Sequence, residues 1–347
     1  MRRCLGSWVR MSEPATPSSE RVPLPEALQV EVTGSCNLSC RMCLVAYRPR
    51  LGRSAHLTLA SLRALLDDQP SVRELTLQGL GEPLLVPELE AMVREASSRG
   101  IRVGLNTNGT LLTAAKSRAL IAAGLDWLHV SVDGACEETF ADIRVGGHLD
   151  TVLAHLRQLM STRAELSLVR PRVQMNTVVM RRNASELDAL VDLAADVGVD
   201  RLWIQGLSHD FGDVGEDETF VAIRHWTAAQ QMPDDELETL LSRAALRARD
   251  LGLDLRLPDA PDTSPPRMAG EPGCDWPWRA AYVGYDGTVQ PCCMVMGHAR
   301  GVLGNIHEQP LSRIWQSPQY TAFRDALCSD HDPPDICRGC AVYRRRF

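Results

Sequence analysis

The run Thr33-Gly34-Ser35-Cys36-Asn37-Leu38-Ser39-Cys40-Arg41-Met42-Cys43 decides how this chain is read. It follows the first strand-like segment and spaces three thiols as C-x3-C-x2-C, with no fourth Cys or His before His56. Three thiolates fall one short of the four-ligand shell of a structural zinc site or an ordinary electron-transfer [4Fe–4S] cluster. They can hold three irons of a cubane and leave the fourth open to a substrate or cofactor. The competing reading is a zinc site that borrows a distant ligand.

Outward from this run, short apolar segments alternate with helix-period ones. Strands are expected at 28–33, 74–78, 102–106, 127–132, 173–179 and 201–205. Helices are expected at 59–66, 88–97, 114–123, 151–160 and 185–197. Such alternation implies βαβ units and a parallel sheet. Six units make an α/β fold of the partial (β/α)6, TIM-like barrel type, with its chemistry at the carboxyl ends of the strands. Polar clusters fall where that rule wants them. The three-Cys loop follows the first strand, and Gln78-Gly79-Leu80-Gly81-Glu82-Pro83 the second. Asn106-Thr107-Asn108-Gly109 and Ser131-Val132-Asp133-Gly134 end the third and fourth. Asn176 lies on the fifth, and Gln205-Gly206 ends the sixth, with Ser208-His209-Asp210 beyond.

The cysteine spacing resembles the signature of the radical S-adenosylmethionine (SAM) enzymes, whose open iron chelates the amino and carboxylate groups of SAM. Met42 stands where that family usually has an aromatic residue and keeps a polarizable apolar contact. Gly79-Leu80-Gly81-Glu82-Pro83 resembles the family's Gly-Gly-Glu-Pro motif, whose backbone carbonyls meet the SAM ammonium. A bare tight turn would use the same residues. Ser131 and Arg144 are similar in position to a Ser and Arg that bind the SAM carboxylate; the alternative for Arg144 is a salt bridge to Asp142 or Asp150. Asn106, Asn108 and Asp133 either bond the ribose hydroxyls or cap the next helix. Gln205 is expected to line the same cavity. Cys136 is either a thiol that returns a hydrogen atom to a substrate radical or a buried Cys packing a helix start.

A second constellation comprises Cys274, Gly287-x4-Cys292 and Cys337-x2-Cys340. Residues 281–290 read as a hairpin turning at Asp286-Gly287, and 311–327 as one helix. The layout resembles the twitch module, a shortened relative of the SPASM domain, and phrases such as Leu303-Gly304-Asn305-Ile306 and Ile314-Trp315 suit that group. The resemblance implies an auxiliary [4Fe–4S] cluster on Cys274, Cys292, Cys337 and Cys340. Cys293 is the alternative to Cys292, Cys328 reads as a helix-end bystander, and a Cys4 zinc ribbon is the competing frame. The expected division is a disordered tail over 1–26, the barrel over 27–212, a helical segment and Pro-rich linker over 213–272, and the cysteine module over 273–347.

Composition sets the remaining bounds. A net charge of −7 with interspersed signs gives no footprint for nucleic acid or an anionic membrane, and the Arg344-Arg345-Arg346 run is short enough to be a solvated tail. Eleven Cys in clustered spacing read as metal binding in a reducing compartment, so a cytoplasmic location is expected. The N-terminus has charges but no apolar segment after them, so it is no secretory signal; Met11 is a possible start, and Cys4 reads as a free thiol.

The family resemblance implies a reduced cluster, fed by a flavodoxin or ferredoxin, that cleaves SAM to a 5′-deoxyadenosyl radical. That radical would abstract a substrate hydrogen atom, and the auxiliary cluster would take up an electron, making a net oxidation. His209 or Asp210 would accept the accompanying proton. The barrel begins near residue 27, without space for the leader-binding domain of many peptide-modifying relatives. The expected substrate is therefore a small sugar or aminocyclitol, or a peptide presented by another protein. A redox-neutral epimerase, and from another class a non-catalytic iron–sulfur sensor or electron carrier, are the alternatives.

Overall fold

Successive side chains on a strand point to opposite faces, and this chain uses that alternation to build one apolar and one polar face. In a computed structural model, β1 (Ala27–Val30) buries Leu28 and Val30 in the main apolar core, while Gln29 takes the other face and donates to the Gln78 carbonyl at 3.3 Å. The pattern repeats in β2 (Glu74–Leu77), β3 (Arg102–Thr107), β4 (Trp127–Ser131), β5 (Arg172–Val178) and β6 (Arg201–Gln205). Leu75, Leu77, Val103, Leu105, Leu128, Val130, Val173, Met175, Leu202 and Ile204 are all at most 1% exposed. Residues 22–47, 56–209, 218–258, 274–295, 301–328 and 334–343 are described. Cys4, Met11, Asp210, nearly all of the Pro-rich stretch and the terminal arginines lie outside them.

The helices α1 (Leu59–Asp68), α2 (Leu89–Ser98), α3 (Ala114–Ala123), α4 (Glu137–Ile143), α5 (Leu149–Glu165) and α6 (Leu187–Val197) join the six strands as parallel crossovers. Local chemistry fixes their ends. Thr58 and Thr113 accept from Ser61 N and Lys116 N as N-caps, and Gly124 and Gly198 close α3 and α6 in the left-handed region. At the amino end of the barrel, ion pairs run between neighbouring elements: Arg102–Glu74, Arg170–Asp126 (2.5 Å), Arg163–Asp200 (2.5 Å) and Arg201–Asp254 (2.8 Å). All of these residues but Arg163 and Asp254 line a cavity of about 340 Å³ that includes Trp127, His129 and Gln174. The Trp127 indole lies across Gly104, where a Cβ would meet it at 2.0 Å.

Two features go beyond the six-unit expectation. The segment after β6 holds α7 (Glu218–Gln230) and α8 (Asp234–Asp250), and then β7 (Leu255–Arg256), which pairs with β6 in parallel. After α9 (Trp276–Arg279), the hairpin of β8 (Ala280–Val283) and β9 (Thr288–Gln290) joins the same sheet. β8 runs parallel to β1, with Leu28 opposite Ala281 and Val30 opposite Val283. With β10 (Gly304–Asn305) the sheet has ten strands in the order β10-β9-β8-β1-β2-β3-β4-β5-β6-β7. The helix expected over 311–327 is two helices, α10 (Leu311–Trp315) and α11 (Pro318–Leu327). Ser317 caps the second by accepting from Tyr320 N, and Pro318 at its first position starts a helix and cannot continue one. The last helix is α12 (Asp335–Arg338).

Candidate functional site

The loop after β1 carries Cys36, Cys40 and Cys43 and is held by the loop after β2 and the segment after α4. Ser39 N donates to the Val145 carbonyl and Arg41 N to that of Ile143, both at 3.0 Å, so the segment after α4 runs alongside it. Burial, with Glu82 and Cys40 adding to it, pushes the Cys36 thiol up to about 11. Burial, then Cys40 and Cys36, pushes Cys43 up to about 12. Burial also raises Cys40, against the pull of Arg144. The three thiols therefore lie within electrostatic reach of one another in a dry place, and binding iron there means releasing protons. Among the described residues no three His, Cys, Asp or Glu side chains close on the single point that one metal ion would fill. A cluster instead takes each thiolate on a different iron.

The glycines of the second loop are there for space. A Cβ on Gly81 would meet the Thr33 carbonyl at 2.0 Å, and one on Gly79 would meet Glu31 Cγ at 2.1 Å. Glu82 is 2% exposed and accepts from Thr107 Oγ1 (2.6 Å), Asn108 N (2.8 Å) and Leu84 N (3.1 Å). Both its oxygens are thus occupied within the protein, so Glu82 fastens the third loop to the second. Asn108 has a similar task. Its amide donates to Asn37 Oδ1 at 2.9 Å, with Cys36 Sγ at 3.9 Å, while its Oδ1 accepts from Thr110 N and Oγ1.

Arg144 pairs with neither Asp142 nor Asp150. Its Nε donates to Asp133 Oδ2 at 2.5 Å, and its Nη1 lies 4.0 Å from Cys40 Sγ. Burial works against this guanidinium, but Asp133 and the neighbouring thiols hold its pKa above the ordinary value. Asp142 is taken by Arg41 and Arg182. Asp133 is fully buried, and its second oxygen accepts from Val178 N at 2.7 Å. Among the described residues it caps no helix; it holds Arg144 beside the cysteine loop. Asn106, Ser131 and Gln205 stand on the polar face of the sheet and make no side-chain hydrogen bond to any described residue. The Asn106 Oδ1 is buried and without a partner.

Two candidate catalytic side chains, Cys136 and His209, lie among the described residues. Cys136 is exposed, not packed under a helix start, and contacts Thr139 Oγ1 and Glu186 Oε1 at 3.5 Å. His209 is buried, and its Nε2 contacts the Ile336 carbonyl at 3.1 Å. Its backbone bridges Cys340, and Ala341 N donates to the Ser208 carbonyl at 3.0 Å. The loop after β6 therefore clasps the end of the cysteine module, and His209 sits in that clasp. Glu31 went unnoticed in the sequence. It is 4% exposed and accepts from Leu80 N at 2.7 Å, in period with Gln29 and Thr33. That period was the available signal.

In the C-terminal module five thiols form one group. Burial, then Cys293, Cys340 and Cys337, raises Cys292. Burial, then Cys340 and Cys274, pushes Cys293 up to about 12. Cys328 caps α11 at the exposed surface. Val295, Leu327, Ile336, Phe323 and Trp278 form the apolar wall around Cys292 and Cys337. Next to it lies Arg324, 3% exposed, with its guanidinium 4.3 and 4.1 Å from the ring centres of Trp315 and Tyr320, which themselves lie 4.7 Å apart. Burial lowers its pKa to about 10, which leaves it a cation at neutral pH.

Comparison with known proteins agrees with this layout. The radical SAM superfamily model matches residues 30–194, and the SPASM model, an iron–sulfur cluster-binding domain, matches 274–341. An AdoMet-dependent heme synthase of Methanosarcina barkeri is 28% identical over 335 residues, covering 91% of each chain. A PqqA peptide cyclase of Ruegeria pomeroyi is 28% identical over 327 residues, covering 92% of this chain and 80% of its own. Streptococcus suis SuiB, solved with its precursor peptide SuiA, shares the fold at a TM-score of 0.68 and 17% identity, over 92% of this chain and 70% of that one. The cofactors are SAM, a [4Fe–4S] cluster and an auxiliary iron–sulfur cluster. Each family match spans one of the two thiol groups, and the chain belongs to the radical SAM superfamily, in the subgroup with a C-terminal SPASM-type module.

Proposed function

We propose that this chain removes two electrons from a neutral, hydrogen-bonding substrate bound on the polar face of the barrel, with a peptide as the favoured substrate. When bound, SAM and its cluster supply the one-electron chemistry that abstracts a hydrogen atom, and the auxiliary cluster supplies an electron acceptor. Cys36, Cys40 and Cys43 would hold the first cluster, and the backbone around Gly79 and Gly81 would accept from the SAM ammonium. Arg144, oriented by Asp133, and Ser131 would take the SAM carboxylate, and the unpartnered Asn106 Oδ1 a ribose hydroxyl. Gln205 would line the substrate side. Four of the five module thiols, Cys274, Cys337 and Cys340 with Cys292 or Cys293, would hold the second cluster.

The observation that carries the reading is the clasp between the loop after β6 and Cys340, which sets the second thiol group beside the carboxyl end of the barrel. The polar face is rich in amides (Gln29, Gln78, Asn106, Gln174, Asn176, Gln205) beside the buried Glu31 carboxylate, and those amides offer donors and acceptors that suit a peptide backbone. The similarity to a peptide cyclase supports the same choice, and the same face supports a sugar-type metabolite as second reading.

Anaerobic reconstitution, then reduction with SAM, is the test. About eight irons per chain with release of 5′-deoxyadenosine supports the reading. Zinc in place of iron, or loaded clusters without cleavage, overturns it in favour of a sensor or structural protein. Turnover in D₂O separates the reactions. Product without carbon-bound deuterium fits net oxidation, and incorporation fits a redox-neutral epimerase.

A further inference from the structure

We propose that Arg324, with Tyr320, is the fixed counter-charge of the auxiliary cluster and raises its reduction potential. This rests on the reading that Cys274, Cys337, Cys340 and one of Cys292 or Cys293 hold that cluster. Lone buried cations are rare because desolvation is costly, and they are normally matched by a carboxylate. Arg324 makes no ion pair among the described residues, although it is 3% exposed. Its Nε donates to the Pro277 carbonyl at 2.9 Å and its Nη1 to the Trp315 carbonyl at 2.8 Å. Its Nη2 is buried without a partner, and so is the hydroxyl of Tyr320, which is fully buried. Two orphaned donors on one helical turn call for an acceptor.

The direction of that acceptor follows from α11. Tyr320, Phe323, Arg324 and Leu327 share one face of the helix, at spacings of three and four residues. Phe323 and Leu327 pack in the wall around Cys292 and Cys337, and Tyr320 lies within electrostatic range of Cys292. Arg324 stacks on Tyr320, one layer further back. A cluster in four thiolates is anionic and gains one more negative charge on reduction. A cation held behind this wall stabilises the reduced form over the oxidised one, and burial keeps solvent from screening it.

The test is an EPR-monitored redox titration of the full-length protein with both clusters loaded. Added SAM marks the signal of the first cluster, and dithionite supplies the electron. Arg324→Met keeps the bulk and removes the charge. At a fixed potential its auxiliary signal should show a reduced-to-oxidised ratio about tenfold lower than wild type, equivalent to about 59 mV for a one-electron couple. The first cluster should not move, Tyr320→Phe should shift the ratio the same way by less, and Arg324→Lys should restore most of it. The midpoint is read in whatever fraction carries iron, so an unmoved midpoint in Arg324→Met overturns the proposal. If Arg324→Met carries no auxiliary iron, Arg324→Lys decides: iron with a near-native midpoint supports the counter-charge, and no iron marks a purely structural arginine. Absence of auxiliary iron in the wild-type chain would instead remove the cluster reading itself.

Discussion

The two thiol groups of this chain are held in opposite ways. Around Cys36, Cys40 and Cys43 the supports are charged and polar: Arg144 on Asp133, Glu82 on Thr107 and Asn108, Asn108 on Asn37. Around Cys292 and Cys337 the wall is apolar and aromatic, with a single buried cation behind it. The first group has three thiols and a polar opening, as a site that must admit and bind a zwitterionic cofactor requires. The second has thiols in excess and an apolar wall, which suits a cluster that exchanges only electrons. Polar support is the cost of an exchangeable ligand; apolar support is enough for a permanent one.

The sharpest way to break this contrast is to remove one group. Cys36→Ala/Cys40→Ala/Cys43→Ala should abolish SAM cleavage and leave about half the iron, measured by iron and sulfide assay. If the two sites were one folding unit, the same variant would lose all its iron.

Next in size is the buried ion pair. Arg144→Met leaves Asp133 charged and unpaired in a fully buried place, and should cost about 3–5 kcal/mol in denaturant unfolding. Asp133→Asn/Arg144→Met should recover part of that stability without recovering SAM binding, which separates the fold role of the pair from its ligand role.

The apolar counterpart is Leu327→Ala, in the wall of the second group and 2% exposed. It should cost about 2–5 kcal/mol. Iron should leave the auxiliary site first, while SAM-dependent signals of the first cluster persist.

A smaller effect tests buried charge away from both groups. Burial, then Arg201, lowers His129 from 6.5 to about 4. Between those values the unfolded chain binds a proton that the folded chain refuses, so stability is full above pH 6.5 and falls as the pH drops towards 4. The loss should reach at most about 3 kcal/mol. His129→Asn should flatten this part of the pH–stability curve, and an unchanged slope would assign it to other groups.

Much of this architecture was legible because period-2 and period-3.6 patterns survive in the sequence wherever one face meets a core. The six barrel strands and five of their crossover helices follow from such runs as Leu75-Thr76-Leu77 and Leu128-His129-Val130, while the short α4 was not expected. What stayed hidden depends on partners distant in sequence. Nothing local to Asp133 says that it turns to Arg144, and nothing local to His209 says that it meets Ile336. β7 is two residues long, too short for any period to register. The break at Ser317-Pro318 was visible in principle, since a capping Ser before Pro marks a new start, but the apolar spacing across it imitates one continuous helix.

The pairing of β8 with β1 has a consequence for the order of events during synthesis. β1 leads directly into the first cysteine loop, yet its second neighbour is encoded some 250 residues later. Until that segment leaves the ribosome, the strand presents an open edge, the kind of surface that recruits other chains. The nascent protein therefore carries the three thiols of its first cysteine loop beside an unfinished seam, and emergence of the last fifth of the chain closes it. Iron delivered before then would reach a half-built barrel, so chaperoning of this edge and timing of cluster insertion become one problem for the cell.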